Sequence, residues 1–426
     1  AGLCPIHLAS YRGHTYMLQF LIEAKCDVNH TTGTLRRTAL HFAVQSHKMA
    51  CILLLIAAGA KLDAKDTFGN SPCHYAADDG YCQILEVLIR RGVNVNSQDI
   101  TSKTPLMKAV RNNKTDAVLR LLRASADLNI TDRNCDMALH YAARNGCVDI
   151  SDILLSAGSL IDVQNYWGRS PLMEAVCYNH KEVVQLLLSS SCDVNRREFK
   201  TGDTALHIAI KRNYTRVVEL LLAAGSRHDV YNHQGETAVH DAVAGNKTDI
   251  TWLLLLLVTA RANLDVRDVF GNTPCHYAAM LGLQDMLDMM IRMGTQVNSQ
   301  DISAKTPLMK AVRNNKSEAT LRLIRANANL NIADSNNEVA LHFAARNGNL
   351  ETVDALLSSG SLIDVQNLWG RSPLMEAVCY NNRDVVRRLL AAGCDLSRRE
   401  SKSGHTALHI AFIKKYLRVL EELLRY

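Results

Sequence analysis

The chain has few of the residues that interrupt structure. Proline occurs seven times in 426 residues, and no Ser-, Gly- or Gln-rich tract sets one region apart from another. That composition excludes flexible linkers between globular domains. The apolar runs, ten residues at 49–58 and seven at 252–258, are too short to span a bilayer, and the first residues do not read as a secretory signal. Glycine-rich phosphate loops and nucleophile elbows are missing. The adjacent pair His240-Asp241 has no nucleophile beside it and reads as a variant helix position, so no catalytic residue is assigned. Twelve cysteines are present, but none stands in a Cys-x-x-Cys pair, which argues against a zinc site. No metal or other cofactor is expected. Aromatic residues make up only 5 %, and a formal charge of +6 is weak for a nucleic-acid binder of this length.

What the chain does have is a period. All seven prolines (Pro5, Pro72, Pro105, Pro171, Pro274, Pro307 and Pro373) occupy the same place in a tetrapeptide: Ser, Thr or once Cys precedes them, and His or Met ends the motif. Six further copies place Ala39, Ala138, Ala205, Ala238, Ala340 and Ala407 there, giving thirteen copies from Cys4-Pro5-Ile6-His7 to Thr406-Ala407-Leu408-His409. Every step between copies is 33 or 34 residues except the one of 36 before Thr273. A fixed period of this length is the signature of stacked repeats.

The tetrapeptide is a helix start. Ser or Thr before proline accepts a backbone N–H of the coming turn, and proline at the first helical position gives up no hydrogen bond. A short apolar stripe follows, as in Leu106, Ala109 and Val110, and then a break at Asn112-Asn113. A second amphipathic stretch contains Ala117-Val118-Leu119 and Leu121-Leu122, and the unit closes on Ala126-Asp127-Leu128-Asn129. One unit is therefore helix, tight turn, longer helix and hairpin, and it buries its apolar faces only by stacking on neighbours.

These tetrapeptides, the turns Asp66-Thr67-Phe68-Gly69 and Asp268-Val269-Phe270-Gly271, and closing segments such as Gly92-Val93-Asn94-Val95-Asn96 resemble the ankyrin repeat family over essentially the whole chain. The resemblance implies an all-α repeat solenoid of about thirteen helix-turn-helix units with β-hairpin fingers. It also implies a binding scaffold whose partner differs from member to member. In the family the motif histidine braces the neighbouring turn; here nine carry that place, and Met107, Met173, Met309 and Met375 replace it elsewhere. Cysteine follows the repeat, as in Cys73/Cys275, Cys177/Cys379 and Cys192/Cys394. Cysteine used as a small core residue fits a reducing, cytoplasmic location. Met17, Leu18, Phe20, Leu21 and Ile22 at one end look like interior helix, and Leu423-Leu424-Arg425-Tyr426 at the other breaks off within an outer helix. The chain therefore reads as a segment of a longer protein or array.

A second period lies above the first. KTPLMKAVRNNK at 103–114 returns at 305–316, GSLIDVQN at 158–165 at 360–367, and GRSPLMEAVCYN at 168–179 at 370–381, all offset by 202 residues. Residues 36–235 and 236–426 are thus two six-repeat blocks, with a three-residue insertion near Trp252. Either the duplication is recent, or both blocks present one surface to a partner that also repeats. With helix layers ~8–10 Å apart, equivalent sites would lie ~50–60 Å apart.

The resemblance places two variable residues per repeat on the concave face, just before the break. They are Arg111-Asn112, Arg144-Asn145, Cys177-Tyr178 and Lys211-Arg212 in the first block. In the second they are Arg313-Asn314, Arg346-Asn347, Cys379-Tyr380 and Ile413-Lys414, and one edge differs, Asp78-Asp79 against Met280-Leu281. The finger tips add Phe68, Tyr166-Trp167, Phe270 and Leu368-Trp369, with basic clusters at Arg196-Arg197-Lys200 and Arg398-Arg399-Lys402. Trp, Tyr and Arg most often carry interface energy. The expected contact set is Arg111, Arg144, Trp167, Tyr178, Lys211, Arg212, Arg313, Arg346, Trp369, Tyr380 and Lys414. Three readings follow: a non-enzymatic scaffold for an acidic or extended protein segment, a binder of single-stranded nucleic acid, or the cytosolic ankyrin domain of a larger channel, cytoskeletal adaptor or ubiquitin-ligase substrate receptor.

Overall fold

The computed structural model describes residues 2–245, 257 and 261–426. The insertion near Trp252 and the apolar run at 252–258, apart from Leu257, lie outside the described residues. Among the described residues there are twenty-five helices. Thirteen of them begin on the proline or alanine of a tetrapeptide, from Pro5–Arg12 to Ala407–Ile413. The chain divides into two compact units, Ala1–Ala209 with Glu219–Ser226 and Ile210–Val218 with Arg227–Tyr426.

Each unit is built in the same way. A short inner helix such as Pro105–Arg111 is followed by an outer helix such as Thr115–Arg123, and each packs on its counterpart in the next repeat. Leu106, Ala109 and Val110 of the inner helix and Ala117, Val118 and Leu121 of the outer helix are all buried. Full burial of one such leucine stabilises by about 1.5–3 kcal/mol. The break between helices needs a left-handed residue. Asn113 supplies it at φ 53°, Asn315 at 55° and Gly146 at 73°; asparagine tolerates this region better than other residues bearing a Cβ.

Helix starts divide the work between two side chains. In the methionine repeats the cap hydroxyl accepts from the backbone, as Thr104 does from the Met107 N–H at 3.3 Å and Ser170 from the Met173 N–H at 3.4 Å. In the histidine repeats the ring takes over. Thr38 donates its N–H to His41 Nδ1 at 3.1 Å. A backbone N–H only donates, so Nδ1 is the acceptor and Nε2 carries the proton. That proton points to Asn70 O in the next repeat, 3.1 Å away. The same pair of bonds recurs at His74 (Ser71 N, 3.0 Å; Lys103 O, 3.0 Å) and His276 (Thr273 N, 3.0 Å; Lys305 O, 3.0 Å).

No strand forms among the described residues, so the expected hairpin fingers are turns rather than paired strands. Their physical link is a single backbone bond per step: Thr67 N–H to Leu35 O at 3.0 Å, Ile100 to Phe68 at 3.0 Å, Arg133 to Thr101 at 3.0 Å. One bond per finger is too sparse for a ladder. Each turn is instead held from within, as Asp66 Oδ1 accepts from Phe68 N and Asn70 N, both at 2.9 Å.

Seven cysteines are buried, and burial pushes the Cys73 and Cys275 thiols up to about 12. Burial acts on the motif histidines in the opposite sense. It lowers His41, His74 and His276 to about 4, against the bonds and charges that favour protonation. His7, His140, His240 and His342 are lowered for the same first cause. A histidine with a lowered folded pKa binds fewer protons folded than unfolded between about pH 4 and about pH 6.5, so stability is lost as pH falls through that window. Each such histidine contributes up to about 1.4 kcal/mol per pH unit. The thermal midpoint, followed by circular dichroism, is expected to drop steeply from pH 7 to pH 5. A flat profile over that range would show that the imidazoles do not stay neutral in the fold.

Candidate partner-binding surface

The ends of the inner helices hold both frame and exposed surface. Frame comes first at the asparagines. Asn112 Nδ2 donates back to Asp78 O at 2.9 Å and to Asp78 Oδ1 at 2.7 Å, and Asn145 Nδ2 donates to Arg111 O at 2.7 Å. Asn347 reaches Val312 O at 2.7 Å. These amides close the open carbonyl ends of the preceding inner helices.

Arg144 is also largely frame. Its Nε donates to Glu174 Oε2 at 3.0 Å and its Nη2 to Asp136 Oδ2 at 3.0 Å. Asn165 ties the two carboxylates together, donating at 2.8 Å to Asp136 and 3.1 Å to Glu174. Both acids are buried, and the guanidinium lies over the Tyr141 ring at 5.4 Å. Burial opposes the charge of Arg144, but Glu174 and Asp136 outweigh it and raise the guanidinium above its ordinary value. The second unit rebuilds this network with a different acid. Arg346 pairs with Glu338 and with Glu376 at 3.2 Å, and Asn367 again bridges them. Arg346 also lies 5.8 Å from the ring centre of Tyr380.

This network was not seen in the sequence, although a signal was there. Where the residue after a tetrapeptide is polar or tyrosine, it pairs in several repeats with the finger residue nine positions earlier. Tyr75 donates to Asp66 at 2.6 Å, Lys108 binds Asp99 at 2.9 Å, Tyr141 donates to Asp132 at 2.6 Å, and Glu174 accepts from Asn165. Donors face aspartate and the one acid faces asparagine, a complementarity readable from residue types alone.

The remaining expected contacts lie at the surface or beside it. Tyr178 is 54 % and Tyr380 56 % exposed, at matching places in the two units. Arg111 is exposed and bonded to Asp78 at 3.1 Å. Its counterpart Arg313 is exposed too, with Met280 where Asp78 stands, and makes no ion pair among the described residues. Asn314 then folds onto its own helix, donating to Lys310 O at 2.8 Å. Arg212 is exposed, Lys211 lies 3.6 Å from Asp241, and Lys414 donates to Cys379 O at 3.1 Å.

At the finger tips Trp167 is 42 % and Trp369 45 % exposed, so each ring is partly covered and partly presented. Tyr166 stands edge-on to Trp167 with ring centres 6.0 Å apart. The tip needs glycine next to the ring: Gly168 has φ 79°, and a Cβ there would sit 2.4 Å from Phe199 N. The basic clusters beside the tips fold back on their own fingers. Arg196 pairs with Asp193 at 3.2 Å and Arg197 donates to Gly202 O at 3.1 Å, and Arg398 and Arg399 repeat both contacts.

The helix pairs, the histidine bridges and the linked turns together define a repeat scaffold of one class. The family profile described as Ankyrin repeats (3 copies) matches in overlapping windows that run from residues 6–99 to residues 341–426. The chain belongs to the ankyrin repeat family, and its fold is that of a protein-interaction module. It is similar to a protein named E3 ubiquitin-protein ligase XBAT33 of Arabidopsis thaliana, 33 % identical over 150 residues, which covers 35 % of this chain and 28 % of that protein. The putative ankyrin repeat protein FPV031 of fowlpox virus is 35 % identical over 127 residues, 29 % of this chain and 36 % of its own length. Neurogenic locus notch homolog protein 1 of Cricetulus griseus is 28 % identical over 152 residues, 33 % of this chain and 6 % of its own. The chain thus spans no more than 36 % of the length of any of the three. Among the described residues no helix is long and apolar enough to cross a membrane, and no group of three metal-binding side chains converges.

Frame and surface are separable by stability. Replacing Arg144 with alanine leaves Asp136 and Glu174 buried without their cation, which costs about 3–5 kcal/mol. Tyr178→Ala, at an exposed position, changes stability by no more than about 0.5 kcal/mol. Urea unfolding of the two variants checks this contrast, and equal midpoints would remove Arg144 from the frame.

Proposed function

We propose that the protein is a non-enzymatic interaction scaffold. It takes an acidic, extended segment of a partner protein across the inner-helix ends, in a reducing, cytoplasmic setting. The observation that carries this reading is the recurrence of an exposed tyrosine at one place in both units, Tyr178 and Tyr380, with exposed arginines two repeats before each. Aromatic rings and arginine are the side chains that anchor interfaces, and the charge of +6 favours an acidic partner through association rate and register. Trp167 and Trp369 add apolar anchors at the tips. Arg144 and Arg346 act as positioning residues, and Arg346 holds its charge against the Tyr380 ring.

The two units differ in what they offer. Asp78 already occupies Arg111, whereas Arg313 is bordered by Met280 and Leu281. The second unit therefore presents the stronger acidic-segment site. A second reading rests on the relatives named as E3 ubiquitin ligases, whose matched segments are a minor part of their length: the array acts as the substrate-receiving portion of a larger ligase. In that reading the surface is unchanged, and catalysis belongs to other segments.

Anisotropy titration of a fluorescein-labelled polyglutamate peptide against the full chain tests the surface. Arg313→Glu is expected to weaken binding by about tenfold and Arg111→Glu by about twofold, because only the latter begins from a paired charge. Replacing both tryptophans with alanine lowers affinity further for a partner that reaches the tips. Equal, undiminished binding in Arg313→Glu and in the tryptophan variants would sink the reading. Loss of binding to nuclease treatment, when native complexes are captured, would favour single-stranded nucleic acid instead.

A further inference from the structure

Away from the inner-helix ends, the outer helices hold one pocket twice. In the first unit it opens between Cys82–Arg90 and Thr115–Arg123, has a volume of about 250 Å³, and is lined by Glu86, Ile89, Arg90, Arg120, Arg123 and Ala124. In the second unit it opens between Gln284–Arg292 and Ser317–Arg325, at about 220 Å³, lined by Asp288, Ile291, Arg292, Arg322, Arg325 and Ala326. Every lining residue of one is the 202-residue counterpart of the other.

The helices around these pockets have diverged, and the pockets have not. Between CQILEVLIR and QDMLDMMIR only Leu85, Ile89 and Arg90 are unchanged, and Leu85 is core. Between TDAVLRLLR and SEATLRLIR the unchanged residues are Ala117, Leu119, Arg120, Leu121 and Arg123. Ala117 and Leu121 are core, and the arginines lie outside it, with only Arg120 tied by an ion pair to the preceding outer helix. Arginine is not kept everywhere on this face, since the neighbouring exposed Arg91 has become Met293. All three pocket arginines survive in both copies, and the only lining change is Glu86 to Asp288.

The charges do not cancel. In the first pocket Glu86 accepts from Arg90 at 2.5 Å and from Arg120 at 3.2 Å. In the second, Arg322 pairs with Asp288 and lies 3.4 Å from Glu318, and Arg292 falls back on its own helix, donating to Asp288 O at 3.3 Å. Arg123 and Arg325 are exposed at the rim and make no ion pair among the described residues. The Nε atoms of Arg120 and Arg322 are buried without an acceptor in either unit. Three guanidiniums against one carboxylate leave a surplus of two positive charges in the first pocket, and Glu318 beside Arg322 reduces it to one in the second.

We propose that these pockets are two equivalent sites for a phosphate monoester carried on a side chain of a partner protein. A phosphorylated serine or threonine carries about −1.5 to −2 charges at neutral pH, opposite in sign to the surplus in both pockets. Guanidinium forks pair with phosphate oxygens bidentately, which a single-point carboxylate contact does not reproduce. Ile89 with Ala124, and Ile291 with Ala326, give the carbon stem of such a side chain an apolar wall. The site is independent of the acidic-segment surface at the inner-helix ends.

The test uses the full chain and a fluorescein-labelled Gly/Ser peptide bearing one phosphoserine, beside its unphosphorylated twin. The phosphopeptide is expected to bind with about two sites per chain by calorimetry, one per pocket, at least about tenfold more tightly than the twin. Inorganic phosphate is expected to displace it. Arg123→Ala and Arg325→Ala each remove one site, and the double variant removes both without moving the thermal midpoint, since neither side chain is paired. Arg111→Glu with Arg313→Glu leaves phosphopeptide binding unchanged. The proposal is overturned if the twin binds equally, if the double variant binds like wild type, or if the inner-helix variants abolish binding. Displaceable binding of inorganic phosphate without any of the peptide would overturn the side-chain source.

Discussion

A neutral imidazole shared between consecutive repeats is the constraint on which the stacking depends. Its Nδ1 accepts the backbone N–H that opens its own helix, and its Nε2–H crosses to a carbonyl of the following repeat, as from His41 to Asn70 and from His74 to Lys103. Both bonds require one tautomer and no charge. Burial enforces that state, because protonation would place a cation among carbonyls and core methyl groups. A helix start and a link between repeats are thereby made by the same side chain. A histidine repeat thus completes its hydrogen bonding only with the next, and stability belongs to the stack.

Around this link the fold assigns polar groups a structural or a presented role by depth. Arg144 and Arg346 lie at the inner-helix ends, where a basic contact residue is expected, yet each is held by two buried carboxylates and an asparagine. Such a cluster is held in place by mutual satisfaction rather than by net Coulomb gain. Its rebuilding with Glu338 in place of Asp136 shows that the geometry, not the particular acid, is what the fold requires. The exposed tyrosines, the tip tryptophans and the rim arginines carry no comparable structural duty, which leaves them available to a partner.

The duplication turns the chain into its own comparison. Where the two blocks agree in spite of divergence around them, the agreement points to positions worth testing for a shared role. The core positions are one such set, the network of Arg144 and Arg346 a second, and the outer-helix arginines a third. Where the blocks disagree at a surface, the units offer different chemistry. Asp78 against Met280 is the clearest case, because a single residue decides whether the neighbouring arginine is already neutralised.

The sequence by itself determined the repeat count, the start of every inner helix and most of the left-handed breaks, His47 and Lys415 being the exceptions. These depend on local rules: a cap, a proline or alanine at the first turn, an asparagine or glycine where φ must be positive. It also showed which side chains the family pattern puts at the inner-helix ends. Only the tertiary structure decided which of those are free. Arg111 and Arg313 stand in identical KTPLMKAVRNNK segments, and what distinguishes them is a residue 33 positions earlier on a neighbouring helix. The same holds for the outer-helix pockets, whose walls are read from separate repeats and meet only when the helices pack. Local propensity is written in neighbours along the chain, whereas charge pairing and cavity shape are set by neighbours in space.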